Sequence, residues 1–436
     1  MTKKTNRYSS LGLAISLLFF ATFSNSADLQ NALDAEYSKI LNPLIQNKTI
    51  PGYYFSLYKN GEKIFELTDG LADESSNLKP GEKTLYAIAS MTKPITTLAV
   101  LKLIENSELK LSDPIKKYLP DFSDMLVAKD GSYDSQLKPA IRDITLFDLL
   151  THTSGLTYTS EVTGVGDIAD TYRDLDIFTL DSIIESDTGD LEKHTAKLAQ
   201  LPLVAQPGKQ FVYSVGIDVA GRIVEIVSGK SLREYLKTEI LIPLEMNDTD
   251  FYVPEEKQDR LARLYSPLKR TYQIPGTPKM YQPTNLIPKE MKNFGMKTSM
   301  YSGGAGLIST AVDYSKFLNF LLDRKKENVL ELSQASFDLI LTDQLGSKLG
   351  SNLMVPAMGE FAKNQVFSLG LGVSLDNSDS DNKDNSYDYL YWSGAYSTHA
   401  WIDPRTGVYG IFMTQLFPLI MMTPDLEEVA DRLVSK

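Results

Sequence analysis

The stretch AIASMTKPITTLAVLKLIENSELKLSD, Ala87–Asp113, places a serine and a lysine three residues apart at the head of an apolar run. Ile95, Leu98, Ala99, Leu101, Leu103 and Ile104 recur at helical spacing as far as Asn106, and Pro94 falls in the first turn, where a missing N–H matters little. The pattern predicts a helix from Ser90 to Asn106. On a helix, residues three apart are neighbours, roughly 5–6 Å between Cβ atoms, so the Lys93 amine can reach the Ser90 hydroxyl. Two readings of Ser90 are open here. It is a helix N-cap beside a solvated lysine, or it is a nucleophile beside its base.

The spacing alone does not choose. Six other Ser-x-x-Lys pairs occur: Ser56/Lys59, Ser76/Lys79, Ser107/Lys110, Ser135/Lys138, Ser266/Lys269 and Ser380/Lys383. Their settings differ. Ser56 and Lys59 lie on a strand that turns at Asn60-Gly61, where residues three apart face opposite ways. The others lie in polar loops, beside Pro267, or after a helix end. Only Ser90 opens a long apolar-periodic segment.

The rest of the chain bounds the possibilities. Lys3, Lys4 and Arg7, then the short apolar run Leu11–Phe23, then Ser24-Asn25-Ser26 read as a signal peptide over residues 1–26. The run is short for a membrane span, which needs about 20 residues, and no Cys follows for lipid attachment, so no stable membrane anchor is expected. The expected location is the periplasm or outside the cell. Cleavage would remove three cations from a chain whose formal charge is already −12. That balance disfavours nucleic acid and anionic membrane surfaces as partners. With no Cys there is no disulfide framework and no thiol nucleophile. His152, His194 and His399 are the only histidines and are far apart, so no metal site is expected, and nothing calls for a cofactor. The acidic run Asp376–Asp388 lacks the Gly and Glu of a calcium loop and reads as a loop between strands.

Periodicity places the elements. Leu29–Gln46 reads as an amphipathic helix and Tyr53–Asp69 as a strand pair. Thr145–Leu156 is a short helix entering a turn at Ser154-Gly155. Gly216–Leu244 is two helices split at Ser228-Gly229, residues 251–300 are a long irregular crossing, and the run from Ala311 is helical. Alternation returns in FSLGLGVSL, YDYLYWSGA, THAWIDP and GVYGIFMTQ, which read as antiparallel strands, and Thr423–Val434 closes as a helix. The class is α/β in the broad sense, α+β strictly. An antiparallel sheet is built from both termini, about 27–89 and 360–436, and is flanked by helices. A helical region, about 90–359, is inserted within one domain, 27–436.

A serine hydroxyl needs a base to become a nucleophile, and a lysine serves only if neutral, so a buried setting and a third polar group are expected. With those residues in view, the chain resembles the serine β-lactamase and penicillin-binding-protein superfamily, in its class C-like branch, nearest the family VIII carboxylesterases. The resemblance runs from about Leu29 to the C-terminus. SMTKPIT matches the Ser-x-x-Lys motif, and LFDLLTHTSGL the stretch after the central helix. PGKQFVYSVGIDVAGRIVEIVSG matches the tyrosine motif, and GGAGLISTAVDYSKF the Gly-Gly-x-Gly-Leu stretch. The resemblance implies a β-lactamase-like fold, Ser90 as the acylated nucleophile, Lys93 as its base and Tyr213 as the phenol that shares the proton. It implies an oxyanion hole from the Ser90 and Ala395 N–H groups, in a pocket with Trp392, Ser393, Gly394 and Tyr158.

Two departures shape the expected substrate. The class C lactamases carry Tyr-x-Asn and Lys-Thr-Gly; here stand Tyr213-Ser214-Val215 and Trp392-Ser393-Gly394. Without that lysine, the expected substrate is a small, mostly uncharged ester, or an amide, cleaved through an acyl-enzyme. The alternatives are a weak β-lactamase, a D-alanyl-D-alanine carboxypeptidase, or a non-catalytic peptidoglycan-binding module. A replacement cation would come from Arg260, Arg263 or Arg270. His152 and Ser154 are expected to make structural hydrogen bonds. His399 alternates with Ser397 and Trp401 and could line the site. Trp392 is expected at the pocket mouth. The chain has no Gly-x-Ser-x-Gly elbow, and nothing in it specifies an oligomeric state.

Overall fold

The computed structural model describes residues 26–435 apart from 161, 180–181, 184–188, 268–285, 289–294, 323–327, 350–364, 376–386, 418 and 420–422. All but the last residue of the expected signal peptide, Arg270 and most of the acidic loop lie outside the described residues. The elements that frame the site are α1 (Ser26–Gln46), β1 (Gly52–Lys59), β2 (Glu62–Gly70), α2 (Thr92–Glu105), α3 (Gly216–Ser228) and α4 (Ala311–Leu322). They continue with β3 (Gln365–Phe367), β4 (Gly372–Leu375), β5 (Tyr387–Ser393), β6 (His399–Asp403), β7 (Val408–Met413) and α5 (Thr423–Val434).

The seven strands form one antiparallel sheet in the order β2-β1-β7-β6-β5-β4-β3. Both ends of the chain therefore build it: β1 pairs along β7, from Tyr54 opposite Met413 to Lys59 opposite Val408. The β1–β2 hairpin turns at Asn60 and Gly61, both with positive φ, 53° and 86°, the geometry that Asn-Gly favours. FSLGLGVSL is not one strand. It is divided by Gly370 at φ 86° into the ends of a hairpin, β3 and β4.

Strand parity sorts the side chains into two cores. Leu390 and Trp392 of β5, and Ala400 and Ile402 of β6, join α2, α3 and α4 in the larger one. Tyr391 and Trp401 join α1, α5 and the Tyr53, Phe55 and Leu57 side of β1 in the other. The two terminal helices are tied where the Tyr37 hydroxyl donates to the Leu426 carbonyl at 3.1 Å. Helix α2 is buried along almost its whole length, its apolar residues together with Thr92, Lys93, Thr96 and Thr97. The helix pair over 216–244 breaks at Gly229, left-handed at φ 67°. In the irregular crossing, Tyr265–Pro267 pairs with Leu286–Pro288. Among the described residues no helix is long and apolar enough to cross a membrane.

The start of α2 differs from expectation. Ala89–Met91 is a turn of 3₁₀ helix, and the residue capping α2 is Met91, with no side-chain cap bond. Ser90 is therefore not spent on capping. Ala89 is held at φ 43°, a conformation unfavourable for a residue with a Cβ.

The loop that approaches the serine from the helical side is set by Asp148. Thr145 and Asp148 form a capping box around Leu146–Leu150. Arg142 forks onto the Asp148 carboxylate at 2.6 and 2.9 Å, and Thr153 donates to it at 3.0 Å. Burial raises this carboxyl, but the Arg142 and Thr145 donors outweigh burial and hold it below the usual range. A carboxyl depressed on folding stabilises above its unfolded value and loses that effect as pH falls through the folded one. Asp148→Asn is expected to lower stability by about 1–3 kcal/mol near pH 7. The gap in urea midpoint should narrow toward about pH 3; an equal gap at both would contradict this role.

Candidate active site

Ser90 lies where the 3₁₀ turn meets the end of β5. The turn is fixed by polar contacts from three directions. Gln415 accepts the Ala87 N–H at 2.8 Å and donates to the Ala87 carbonyl at 3.1 Å. Ile88 N–H donates to Leu307 at 3.0 Å, and the Tyr314 hydroxyl donates to the Met91 carbonyl at 3.1 Å. Gly394 sits directly against the turn. A Cβ there would stand 2.3 Å from the Ile88 carbonyl oxygen and 2.2 Å from the Thr398 hydroxyl, so only glycine allows this approach.

The three expected catalytic side chains converge. Lys93 Nζ is 3.1 Å from Ser90 Oγ, and the Tyr213 hydroxyl is 2.8 Å from the same oxygen. Lys93 is fully buried and donates also to the Gly304 carbonyl at 2.8 Å. Its Nζ lies 4.8 Å from the Tyr213 ring centre and 5.2 Å from that of Tyr158. Tyr158 is buried with its ring 5.0 Å from Tyr213. Burial, then the neighbouring Tyr213 and Asp218, push the Tyr158 phenol well above its ordinary value, so it stays neutral.

Asp218 was not singled out by the sequence. It is fully buried in α3 and accepts from Ser302 Oγ at 2.5 Å and from the Gly304 N–H at 3.0 Å. It thus fixes the Gly303-Gly304 turn whose carbonyl receives Lys93. Burial raises its carboxyl, while Lys93 and these two donors pull against the rise. The signal was present: an acid in GIDVAGRIV, a helix buried nearly all round, needs a partner.

His152 accepts the Ser214 N–H on Nδ1 at 3.2 Å, and Val212 N–H donates to the His152 carbonyl at 2.8 Å. Its ring lies 4.7 Å from Tyr213. Burial, then Lys93, depress its basicity well below the ordinary value, so it is neutral. Ser154 accepts the Leu156 N–H at 3.3 Å. Both residues shape the loop and neither touches Ser90 Oγ, as expected.

Two expectations about the pocket need correction. Trp392 is not at a mouth. It is 5% exposed, with its ring 5.6 Å from Tyr213 and 5.3 Å from Phe367, and forms a deep apolar wall. Ser393 does not face Ser90, because parity turns its side chain to the opposite side of the sheet, where its hydroxyl lies 2.8 Å from His399 Nδ1. His399 is on that far face too, stacked on Trp401 at 5.8 Å. Of the candidate cations, Arg260 forks onto Asp248 at 2.8 Å to each oxygen, and Arg263 reaches Ser75 at 3.2 Å. Gly394 and Ala395 follow the strand to the serine turn. Among the described residues no group of three or more His, Cys, Asp or Glu could hold a metal ion.

A buried lysine and a phenol meeting at one serine hydroxyl, on a sheet closed by both termini, define a serine hydrolase of β-lactamase-like fold. The chain belongs to the Beta-lactamase family, whose profile matches residues 37–433. It is 32% identical to Protein Rv1367c of Mycobacterium tuberculosis over 366 residues, 82% of this chain and 84% of that protein. It is 28% identical to Esterase EstB of Burkholderia gladioli over 398 residues, 89% of this chain and 91% of that one. Among solved structures it shares the fold of EstCE1, described as a hydrolase with promiscuous acyltransferase activity. The TM-score is 0.68 at 23% identity, over 92% of this chain and 98% of that one.

Proposed function

We propose that the protein is an exported hydrolase of small, mostly uncharged carboxylic esters, acting through a Ser90 acyl-enzyme with Lys93 and Tyr213 as its base system. The observation that carries the reading is the meeting of Lys93 Nζ and the Tyr213 hydroxyl at Ser90 Oγ. The Ser90 oxygen attacks the ester carbonyl as its proton passes to the Lys93–Tyr213 pair. The oxyanion is held by the Ser90 and Ala395 N–H groups. The C–O bond to the alcohol breaks, and the alcohol leaves with the proton from the pair. Water then attacks the acyl-enzyme and gives up a proton to the pair. Ser90 recovers a proton as the acid departs.

The ester preference rests on Trp392. An acyl or alkoxy group packing on the indole loses water favourably, whereas a carboxylate there would lose hydration without gaining a countercharge. Of the candidate arginines, Arg260 is engaged with Asp248 and Arg263 with Ser75. The name of Esterase EstB is in keeping with an ester substrate. In a matched pair of esters, the neutral one is expected to show the higher kcat/KM, by about tenfold or more. Equal or better kcat/KM for the anionic ester would overturn the neutral-pocket reading. Turnover of nitrocefin comparable to that of p-nitrophenyl butyrate would favour a β-lactamase instead. Export is tested by the N-terminal residue of the protein recovered outside the cytoplasm, expected at Ala27; an intact Met1 there would contradict it.

A further inference from the structure

Ser393, His399 and Glu427 form a hydrogen-bonded chain on the face of the sheet away from Ser90. Ser393 ends β5 and His399 begins β6, directly opposite it in register. Glu427 comes from α5. His399 Nδ1 lies 2.8 Å from Ser393 Oγ, and Nε2 lies 2.8 Å from Glu427 Oε1. His399 and Glu427 are each 4% exposed. With Nε2–H donating to the carboxylate, Nδ1 accepts the Ser393 hydroxyl proton.

This chain is a poor way to hold a helix on a sheet. A buried histidine–acid pair contributes little that well-packed apolar residues would not. Helix α5 already inserts Leu426, Val429, Ala430 and Val434 into the same core. Glu427 stands three and seven residues before Ala430 and Val434, on that same apolar face. What the pair adds is direction, and it is delivered to Ser393. The next two residues are Gly394, packed on the Ile88 carbonyl, and Ala395. Gly394 N–H donates to Thr398 at 2.8 Å, and the Thr398 hydroxyl donates to Ile88 at 3.3 Å. A shift at Ser393 is therefore passed to the Ala395 N–H and to the turn that carries Ser90.

We propose that Glu427 and His399 act through Ser393 as positioning residues, fixing the end of β5 so that the Ala395 N–H meets the oxyanion. This rests on the Ser90 hydrolase reading. The test is steady-state kinetics of the full chain on p-nitrophenyl butyrate, with thermal midpoints. The variants are Ser90→Ala, Ser393→Ala, Ser393→Thr, and the double replacement His399→Leu with Glu427→Leu. Ser393→Ala and the double variant are expected to lower kcat about tenfold or more with KM within about twofold, since the donor acts in the transition state. Ser393→Thr keeps the hydroxyl and should recover most of the rate. The apolar pair should keep the thermal midpoint, separating positioning from folding; if it fails to fold, Ser393→Ala against Ser393→Thr decides. Ser90→Ala inactive with Ser393→Ala at wild-type kcat would overturn the relay alone. Activity surviving Ser90→Ala would overturn the hydrolase reading and the relay with it.

Discussion

Ser90→Ala is expected to reduce ester turnover by on the order of 10⁴–10⁶-fold, the range seen when a nucleophile is removed from a unit that works together. The structure says why the loss should be chemical and not structural. Ser90 does not cap α2, whose cap residue is Met91 with no side-chain bond. The turn is held by Gln415, Leu307 and Tyr314, none of which uses the Ser90 hydroxyl. Lys93 keeps the Gly304 carbonyl. The stability change should therefore stay within about 1 kcal/mol. Turnover near wild type in the folded variant would mean that another residue is the nucleophile.

Lys93→Met and Tyr213→Phe are expected to cost about 10²–10⁴-fold each in kcat, the usual worth of a positioned acid–base group. Both side chains meet the same Ser90 oxygen, at 3.1 and 2.8 Å. The double variant should thus be little worse than the worse single one. Their effects on folding should differ. Lys93 donates to the buried Gly304 carbonyl, and its loss leaves that carbonyl short of a partner. Lys93→Met should destabilise by about 1–3 kcal/mol, while Tyr213→Phe should not. Strictly multiplicative losses in kcat would argue that the two act in separate steps.

The Ser90–Lys93 pair was legible because a helix fixes the neighbours of a residue by spacing alone. The sheet was legible because alternation at both ends of the chain could be closed into one layer. What the sequence did not settle was which face each strand residue takes. A strand alternates regardless of which core lies on which side, and only the pairing of β5 with β6 sends Ser393 and His399 away from Ser90. Asp218 and Glu427 escaped for a related reason. Each is an acid on the buried face of a helix, and its partner lies far off in sequence: Gly304 for one and His399 for the other. The depth of Trp392 is not legible in the sequence, because it depends on Phe367 and Tyr213 packing against the indole, which spacing does not encode. The 3₁₀ turn at Ala89–Met91 continues into α2 and shares its apolar pattern, so the boundary was hidden.

The central claim is that Ser90 carries the acyl group, and intact mass after reaction with a fluorophosphonate tests it most directly. One phosphonyl group per chain is expected, on the peptide containing Ser90, slowed by a competing ester and absent from Ser90→Ala. No adduct on the folded protein, or an adduct on another residue, would contradict the account.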